Sequence, residues 1–368
     1  MSTPPGSITP PGSITSVPAA VESALRTFFD SRRPITDAVG GTFGDAAGAL
    51  EAFVLRGGKR VRPTFAWTGW LGAGGDAAGS DADAVLRVCS ALELVQACAL
   101  VHDDIIDSSA TRRGFPTLHV EFAHRHRVGG WSGDADEFGE SIAILLGDLA
   151  LAWADDLVRE SGIDAVAQTR IGPVWSAMRT EVLGGQYLDV HTEVTADESV
   201  AAALRINRYK TAAYTIERPL HLGAALAGAD DALIAAYREF GTDIGIAFQL
   251  QDDLLGVFGD PEVTGKPSGD DLREGKRTVL FAEALLRADA SDPGTADFLR
   301  RGIGADLTDD QVQRMRQVIV DLGAVEAVQA RIDDLTATGL RALDGSSATD
   351  EAKAELRAMA VALGRRSA

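Results

Sequence analysis

Residues 85–107, VLRVCSALELVQACALVHDDIID, are apolar at three- and four-residue spacing and then close on Asp103, Asp104 and Asp107. That spacing predicts a long helix with an apolar face. At about 100° per residue, Asp103 and Asp107 leave it on one side, a turn apart. A second acid cluster, Gln249-Leu250-Gln251-Asp252-Asp253, ends another apolar run. Carboxylates in such a place are costly unless paired or bound to a metal. Two of them cannot neutralise each other. The pattern asks for a cation, and oxygen-only ligands favour Mg2+.

The same periodicity recurs over residues 141–159, 166–188, 200–227, 232–258 and 309–343. Strand-like alternation bounded by hairpin turns is missing, so the expected fold is all-α. Gly-, Asp- and Ser-rich breaks at residues 72–83, 127–139, 259–275 and 344–350 read as loops. Loops at the ends of elements commonly carry function. The break at 127–139, which contains Trp131, reads as a surface excursion. Residues 4–9 and 10–15 repeat the hexapeptide Pro-Pro-Gly-Ser-Ile-Thr. Two copies are too few to stack into a repeat fold. Residues 1–18 therefore read as a disordered tail, followed by a single domain over 19–368.

A net charge of −19 argues against general nucleic-acid binding and against docking on anionic lipid, both of which want basic surfaces. Cys89 and Cys98 fall in one predicted helix, roughly 13 Å apart by rise, too far for a disulfide. No oxidising compartment is implied. The sequence shows no charge-free apolar run of about 18 residues, so no membrane span is expected. The N-terminus lacks the basic and apolar regions of a signal peptide. The expected setting is the cytoplasm.

Four constellations carry chemistry. Arg56-Gly57-Gly58-Lys59-Arg60-Val61-Arg62-Pro63 concentrates positive charge in an acidic chain. Its glycines let backbone approach a ligand, and Pro63 suits the opening of a helix. Gln96, His102 and the first acid cluster precede Arg112-Arg113-Gly114. Bridging metal and guanidinium forks could together hold a diphosphate there. The blander alternative is a set of acidic caps paired with Arg112 and Arg113. Phe248-Gln249 and Asp252-Asp253 precede Gly265-Lys266-Pro267 and Asp270-Asp271-Leu272-Arg273-Glu274-Gly275-Lys276-Arg277. Lys210-Thr211 follows a helix bearing Gly185-Gln186 and Asp189.

In this order and spacing, the motifs Gly57-Gly58-Lys59, Arg62-Pro63, Asp103-Asp104 with Asp107, Arg112-Arg113-Gly114, Lys210-Thr211 and Phe248-Gln249 with Asp252-Asp253 resemble the trans-isoprenyl diphosphate synthases, or polyprenyl synthetases, over roughly residues 20–365. The surrounding sequence is similar to short-chain actinobacterial members. The resemblance implies an isoprenoid synthase-type helical bundle around a central cavity, usually a homodimer. It implies Mg2+-dependent head-to-tail condensation of isopentenyl diphosphate with an allylic diphosphate: dimethylallyl, geranyl or farnesyl. The allylic carbon–oxygen bond ionises, metals take up charge on the leaving pyrophosphate, and the isopentenyl double bond adds to the cation and loses a proton.

By the same resemblance, Asp103, Asp107 and Asp252 hold about three Mg2+ ions, with Asp104 and Asp253 in support. Lys59, Arg62, Gln96 and Arg113 bind isopentenyl diphosphate. Arg112, Lys210 and Lys266 bind the allylic diphosphate, helped by Gln186, Asp189 and Lys276. Thr211, Gln249 and the Phe248 ring stabilise the cation, for which a π-face is suited. One departure stands out: Gly256 lies where many members carry a third aspartate. Little loss is expected, since the metal chiefly needs the first aspartate. Arg365 and Arg366 read as a solvated tail, the alternative being that they close over bound isopentenyl diphosphate.

Chain length in this family depends on the residues four and five before the first aspartate, here Ala99 and Cys98, both small. Val95 and Leu92 would form the tunnel floor, with Trp153, Trp175 or Met178 adding to it. The favoured product is geranylgeranyl diphosphate. The alternatives are farnesyl diphosphate, a product of C25 or above, a class I terpene cyclase, or a non-catalytic synthase subunit. A cyclase needs no second diphosphate site, and a non-catalytic subunit would be expected to have lost aspartates.

Overall fold

The computed structural model describes residue 11, residues 14–260 and residues 269–364. The chain folds as two compact units, Met1–Pro173 with Leu222–Ala229, and Val174–His221 with Asp230–Ala368. The tandem hexapeptide lies largely outside the described residues. A 3-10 turn, Ile14–Ser16, leads into α1, Val17–Val39, so the helix starts inside the segment expected to be tail.

The first unit continues with α2 (Gly41–Leu55), α3 (Val61–Gly72) and α4 (Ala82–Ile106). Ala, Leu and Val fill α4, no glycine or proline interrupts it, and it packs against α1, α3 and α6. Within this unit α4 is long and apolar enough to cross a bilayer by composition, yet 78% of its most apolar window is buried in protein. It is a core helix. It stops at Asp107, whose backbone N–H reaches the Asp103 carbonyl, because Ser108 turns to φ 51°. A two-residue antiparallel pair follows, β1 (Thr111–Arg112) and β2 (Phe115–Pro116), the one exception to an all-α chain among the described residues. Next come α5 (Leu118–Gly129) and α6 (Ala135–Arg159).

The loop expected over residues 127–139 is thus only a tight turn. Asp134 caps α6 by accepting from the amides of Asp136 and Glu137 at 2.8 and 3.0 Å. Trp131 folds back onto His126 and Phe138, ring centroids 5.8 and 5.4 Å away. Trp153 on α6 sits edge-on to Phe28 and Phe29 of α1, which makes it a core residue of this unit.

Helix α7 (Ala165–Thr195) passes from the first unit to the second at Pro173. The second unit then has α8 (Val200–Ile206), a π-helix (Asn207–Glu217), and α9 (Arg218–Ala227), whose latter half belongs to the first unit. The periodicity over 200–227 predicted one continuous helix; an 11-residue π-helical stretch interrupts it. The reason is close packing. A Cβ at Gly185 would collide with the Lys210 backbone, one at Gly245 would lie 2.6 Å from Ala212, and one at Gly241 would lie 2.5 Å from Glu217. Bare backbone on two helices makes room for the wider turn.

The rest of the second unit is α10 (Asp231–Phe258), α11 (Asp270–Glu274), α12 (Val279–Ser291), α13 (Pro293–Gly302), α14 (Asp309–Asp321), α15 (Ala324–Asp344) and α16 (Asp350–Gly364). Leu250, Leu254 and Val257 of α10 share a core with Phe281, Met315 and Val328. The run 309–343 is two helices rather than one, because Gly323 at φ 71° breaks it. A capping box of Thr308 and Gln311 opens α14.

Candidate active site

In the first unit the basic turn is shaped by three left-handed residues, Gly57 (φ 100°), Gly58 (φ 137°) and Arg60 (φ 47°). The glycines admit a side chain as well as any ligand: the Arg113 guanidinium comes within 3.1 Å of where a Gly58 Cβ would be, and its Nη1 donates to the Gly57 carbonyl at 2.9 Å. Arg62 donates to Gln96 Oε1 at 2.7 Å, and Lys59 is exposed. Beneath them Arg60, 5% exposed, pairs with Glu93 on α4 at 2.5 Å and donates to the Val54 carbonyl at 2.8 Å. A pocket opens here, lined by Arg56, Arg60, Glu93, Gln96, Arg112 and Arg113 among others. Three of the four residues assigned to isopentenyl diphosphate are thereby joined in one basic region.

The first acid cluster turns out to have a protein cation. Arg112, carried by the short β pair, donates from Nε to Asp104 at 2.6 Å and from Nη2 to Asp103 at 3.3 Å. That corrects the premise that these carboxylates lack any counter-charge, and it realises the bland pairing for Arg112. Arg113 goes elsewhere, to Gly57. Even so, Asp104 is 1% exposed and its carboxyl is pushed up to about 6, because burial outweighs the attraction of Arg112. Its Oδ2 is buried without a hydrogen-bond partner. Asp107 is exposed at the helix end.

Ala99 and Val95 fall on the same stripe of α4 as Asp103, spaced by four residues. Cys98 lies on the neighbouring stripe, buried, with Sγ 3.7 Å from His102 Nδ1. Burial pushes its thiol up to about 11, so it is a neutral, inert side chain.

In the second unit the π-helix presents Lys210 and Thr211. Lys210 Nζ reaches Asp189 Oδ2 at 2.5 Å. Thr211 Oγ1 donates to Gln249 Oε1 at 2.8 Å, and Gln249 Nε2 donates to Asp253 Oδ1 at 3.0 Å. Gln186 Nε2 is buried with no hydrogen-bond partner. Asp252 is exposed, Phe248 is half-buried, and Asp253 is 3% exposed. Burial, with Asp271 and Asp252 nearby, pushes the Asp253 carboxyl up to about 7 against the Gln249 hydrogen bond. Gly256 is explained by its neighbour, since the Asp271 carboxylate occupies the place a side chain there would take. Lys276 is held by Glu274 at 2.6 Å and Asp271 at 3.6 Å. Trp175 and Met178 are buried in this unit. Lys266, Arg365 and Arg366 lie outside the described residues.

Magnesium fits this donor set. Both motifs offer only carboxylate oxygen, and Asp104 Oδ2 and Asp253 Oδ2 are buried without hydrogen-bond partners. Among the described residues, no group of three or more His, Cys, Asp or Glu side chains is already converged as a metal cage. Mg2+ does not require one, since it commonly takes one or two carboxylates and completes its shell with water and substrate phosphate.

Sequence reading missed Glu93 and singled out no partner for Arg60. The available signal was a lone glutamate inside the apolar run of residues 85–101. It also missed the short chain from Thr211 through Gln249 to Asp253, although Gln249 and Asp253 stand at helical i, i+4 spacing.

The sequence model of the family described as polyprenyl synthetase matches residues 46–320. A geranylgeranyl diphosphate synthase of Mycobacterium tuberculosis is 35% identical over 73% of this chain and 71% of its own. A geranylfarnesyl diphosphate synthase of Aeropyrum pernix is also 35% identical, over 77% of this chain and 82% of its own. The crystal structure of a Corynebacterium glutamicum geranylgeranyl pyrophosphate synthase, complexed with isoprenyl diphosphate and magnesium, superposes with a TM-score of 0.91 at 49% identity, over 96% of this chain and 99% of that one. A chain that is almost wholly helical among its described residues, with this likeness and an aspartate pair in the last two turns of each of two long helices, is a trans-prenyltransferase. It belongs to the polyprenyl synthetase family.

Proposed function

We propose that this enzyme makes geranylgeranyl diphosphate by adding isopentenyl diphosphate to dimethylallyl, geranyl and farnesyl diphosphates in turn. The observation that carries the product is the stripe below Asp103, where Ala99 leaves room and Val95 stands one turn deeper. The names of the Mycobacterium and Corynebacterium relatives support it, while the Aeropyrum relative keeps a longer product in view.

Mg2+, held by Asp103, Asp107 and Asp252, would supply Lewis-acid charge to the leaving diphosphate. Lys59, Arg62, Gln96 and Arg113 bind isopentenyl diphosphate. Arg112, Lys210, Gln186 and Lys276 bind the allylic diphosphate, with Lys266 as a further contributor. For Arg112 this means changing partner, from carboxylate to phosphate. Gln249 and Thr211 aim their oxygens at the developing allylic charge. The allylic C–O bond breaks with its electron pair on pyrophosphate. The new C–C bond takes the isopentenyl double-bond electrons, and the departing pyrophosphate takes the proton.

The test is incubation with Mg2+, labelled isopentenyl diphosphate and each allylic primer, with products resolved by length. A principal product other than geranylgeranyl diphosphate would sink the assignment, and no condensation at all would sink the reaction. Ala99→Phe and Cys98→Phe should both shorten the product, Ala99→Phe more strongly because it shares the Asp103 stripe. A homodimer in the cytoplasm belongs to the same proposal. Dimerisation would cover apolar side chains exposed on the single chain, such as Ile144 and Leu145 of α6; light scattering in solution decides it, and cell fractionation tests the location.

A further inference from the structure

A carboxylate inside a pocket of arginines repels the anion that the pocket attracts, so Glu93 needs a reason to be there. It is 6% exposed, on α4, one turn before Gln96. Its Oε2 binds Arg60 Nη1 at 2.5 Å. Arg60 is itself buried and held at φ 47°, a conformation that residues with a Cβ rarely adopt. Its other guanidinium nitrogen is fixed to the Val54 carbonyl. Lys59 before it, and Arg62 in the first turn of the helix that Arg60 opens, take their directions from that backbone. Glu93 Oε1, by contrast, is buried with no hydrogen-bond partner. Arg113 also lines the pocket, and Glu93 is the foremost charge that opposes the effect of desolvation on its guanidinium.

We propose that Glu93 is a positioning residue for isopentenyl diphosphate. Through Arg60 it locks the left-handed turn that aims Lys59 and Arg62, so that these cations meet the diphosphate as a preformed set. Arg60 is then a strut rather than a ligand. This deepens the functional reading above and rests on it. A preset arrangement of donors saves the cost of ordering them at binding. A buried pair also loses heavily when one partner alone is removed.

The experiment compares wild type with Glu93→Gln and with the double variant Arg60→Met, Glu93→Leu. Initial rates are measured with each substrate varied in turn, alongside thermal midpoints. In Glu93→Gln the KM for isopentenyl diphosphate should rise at least about tenfold while that for farnesyl diphosphate stays within about twofold. The double variant replaces a buried ion pair by apolar side chains, an exchange that is often neutral for stability. It should recover the thermal midpoint yet keep the raised KM. An unchanged KM in Glu93→Gln, an equal rise for both substrates, or a stable double variant with wild-type KM would each overturn the proposal. Wild-type turnover is the internal control: its absence would refute the reaction itself, not the role of Glu93.

Discussion

The two aspartate motifs are built alike and buffered differently. Each lies in the last two turns of a long apolar helix, α4 or α10, and each follows its first aspartate with a buried one, Asp104 or Asp253. Asp104 is met by a charge, the Arg112 guanidinium. Asp253 is met by a neutral amide, Gln249, and has a second carboxylate, Asp271, nearby. The consequence appears in their titration: Asp104 is pushed up to about 6 and Asp253 to about 7. The first motif carries a protein cation, which under the proposed function would change partner from carboxylate to phosphate. The second is held by dipoles that can stay in place, with Thr211 at the other end of the same chain of hydrogen bonds.

The largest expected effects test what the motifs share. Asp103→Ala and Asp252→Ala should each lower kcat by roughly a thousandfold or more if both hold catalytic metal. A mild loss at Asp252 would make the second motif structural and break the symmetry between them. A smaller effect separates the buffers. Arg112→Gln should destabilise the metal-free protein by about 2 kcal/mol, because Asp104 loses its counter-charge. In this variant Mg2+ should raise the thermal midpoint more than in wild type. Gln249→Leu should leave the Mg2+ increment near that of wild type. Equal increments in the two variants would erase the distinction between charge exchange and dipole support.

Much of the architecture could be read from residue order alone. The two helices with aspartate pairs in their last turns, the glycine turn and the Lys210-Thr211 pair all announce themselves through local spacing. What escaped reading depends on partners far apart in sequence. Periodicity over 200–227 cannot show a π-helix, because the cause lies in Gly185, Gly241 and Gly245 on other helices. Gly256 looks like a lost aspartate until Asp271 is seen in its place. Arg112 was legible as a phosphate ligand but not as the present partner of Asp103 and Asp104. The turn at Trp131 read as a loop because its order comes from ring contacts with His126 and Phe138. In each case the missing information was which side chain fills a given space.

The finest separation of the two motifs is in pH. Both buried carboxyls titrate above the ordinary 3.8 when folded, Asp253 furthest. Between the ordinary value and the raised one, the folded protein keeps a proton that the unfolded chain has released. The stability that these two groups contribute to the metal-free protein is therefore greatest at low pH and falls as pH rises through the raised value. The fall contributed by Asp104 should be complete near 6, and that of Asp253 should continue to near 7. Asn at either position removes the proton exchange while keeping the shape. In EDTA, thermal midpoints from about pH 5 to about pH 8 should flatten more for Asp253→Asn than for Asp104→Asn. The Asn at 104 also deprives Arg112 of a charged partner, so its gain at high pH should be partly offset. The Asn at 253 faces an amide and a carboxylate, and has no such penalty. If Asp104→Asn flattened the profile as much as Asp253→Asn, the arginine would not be buffering its motif, and the contrast between charge and dipole would fail at its source.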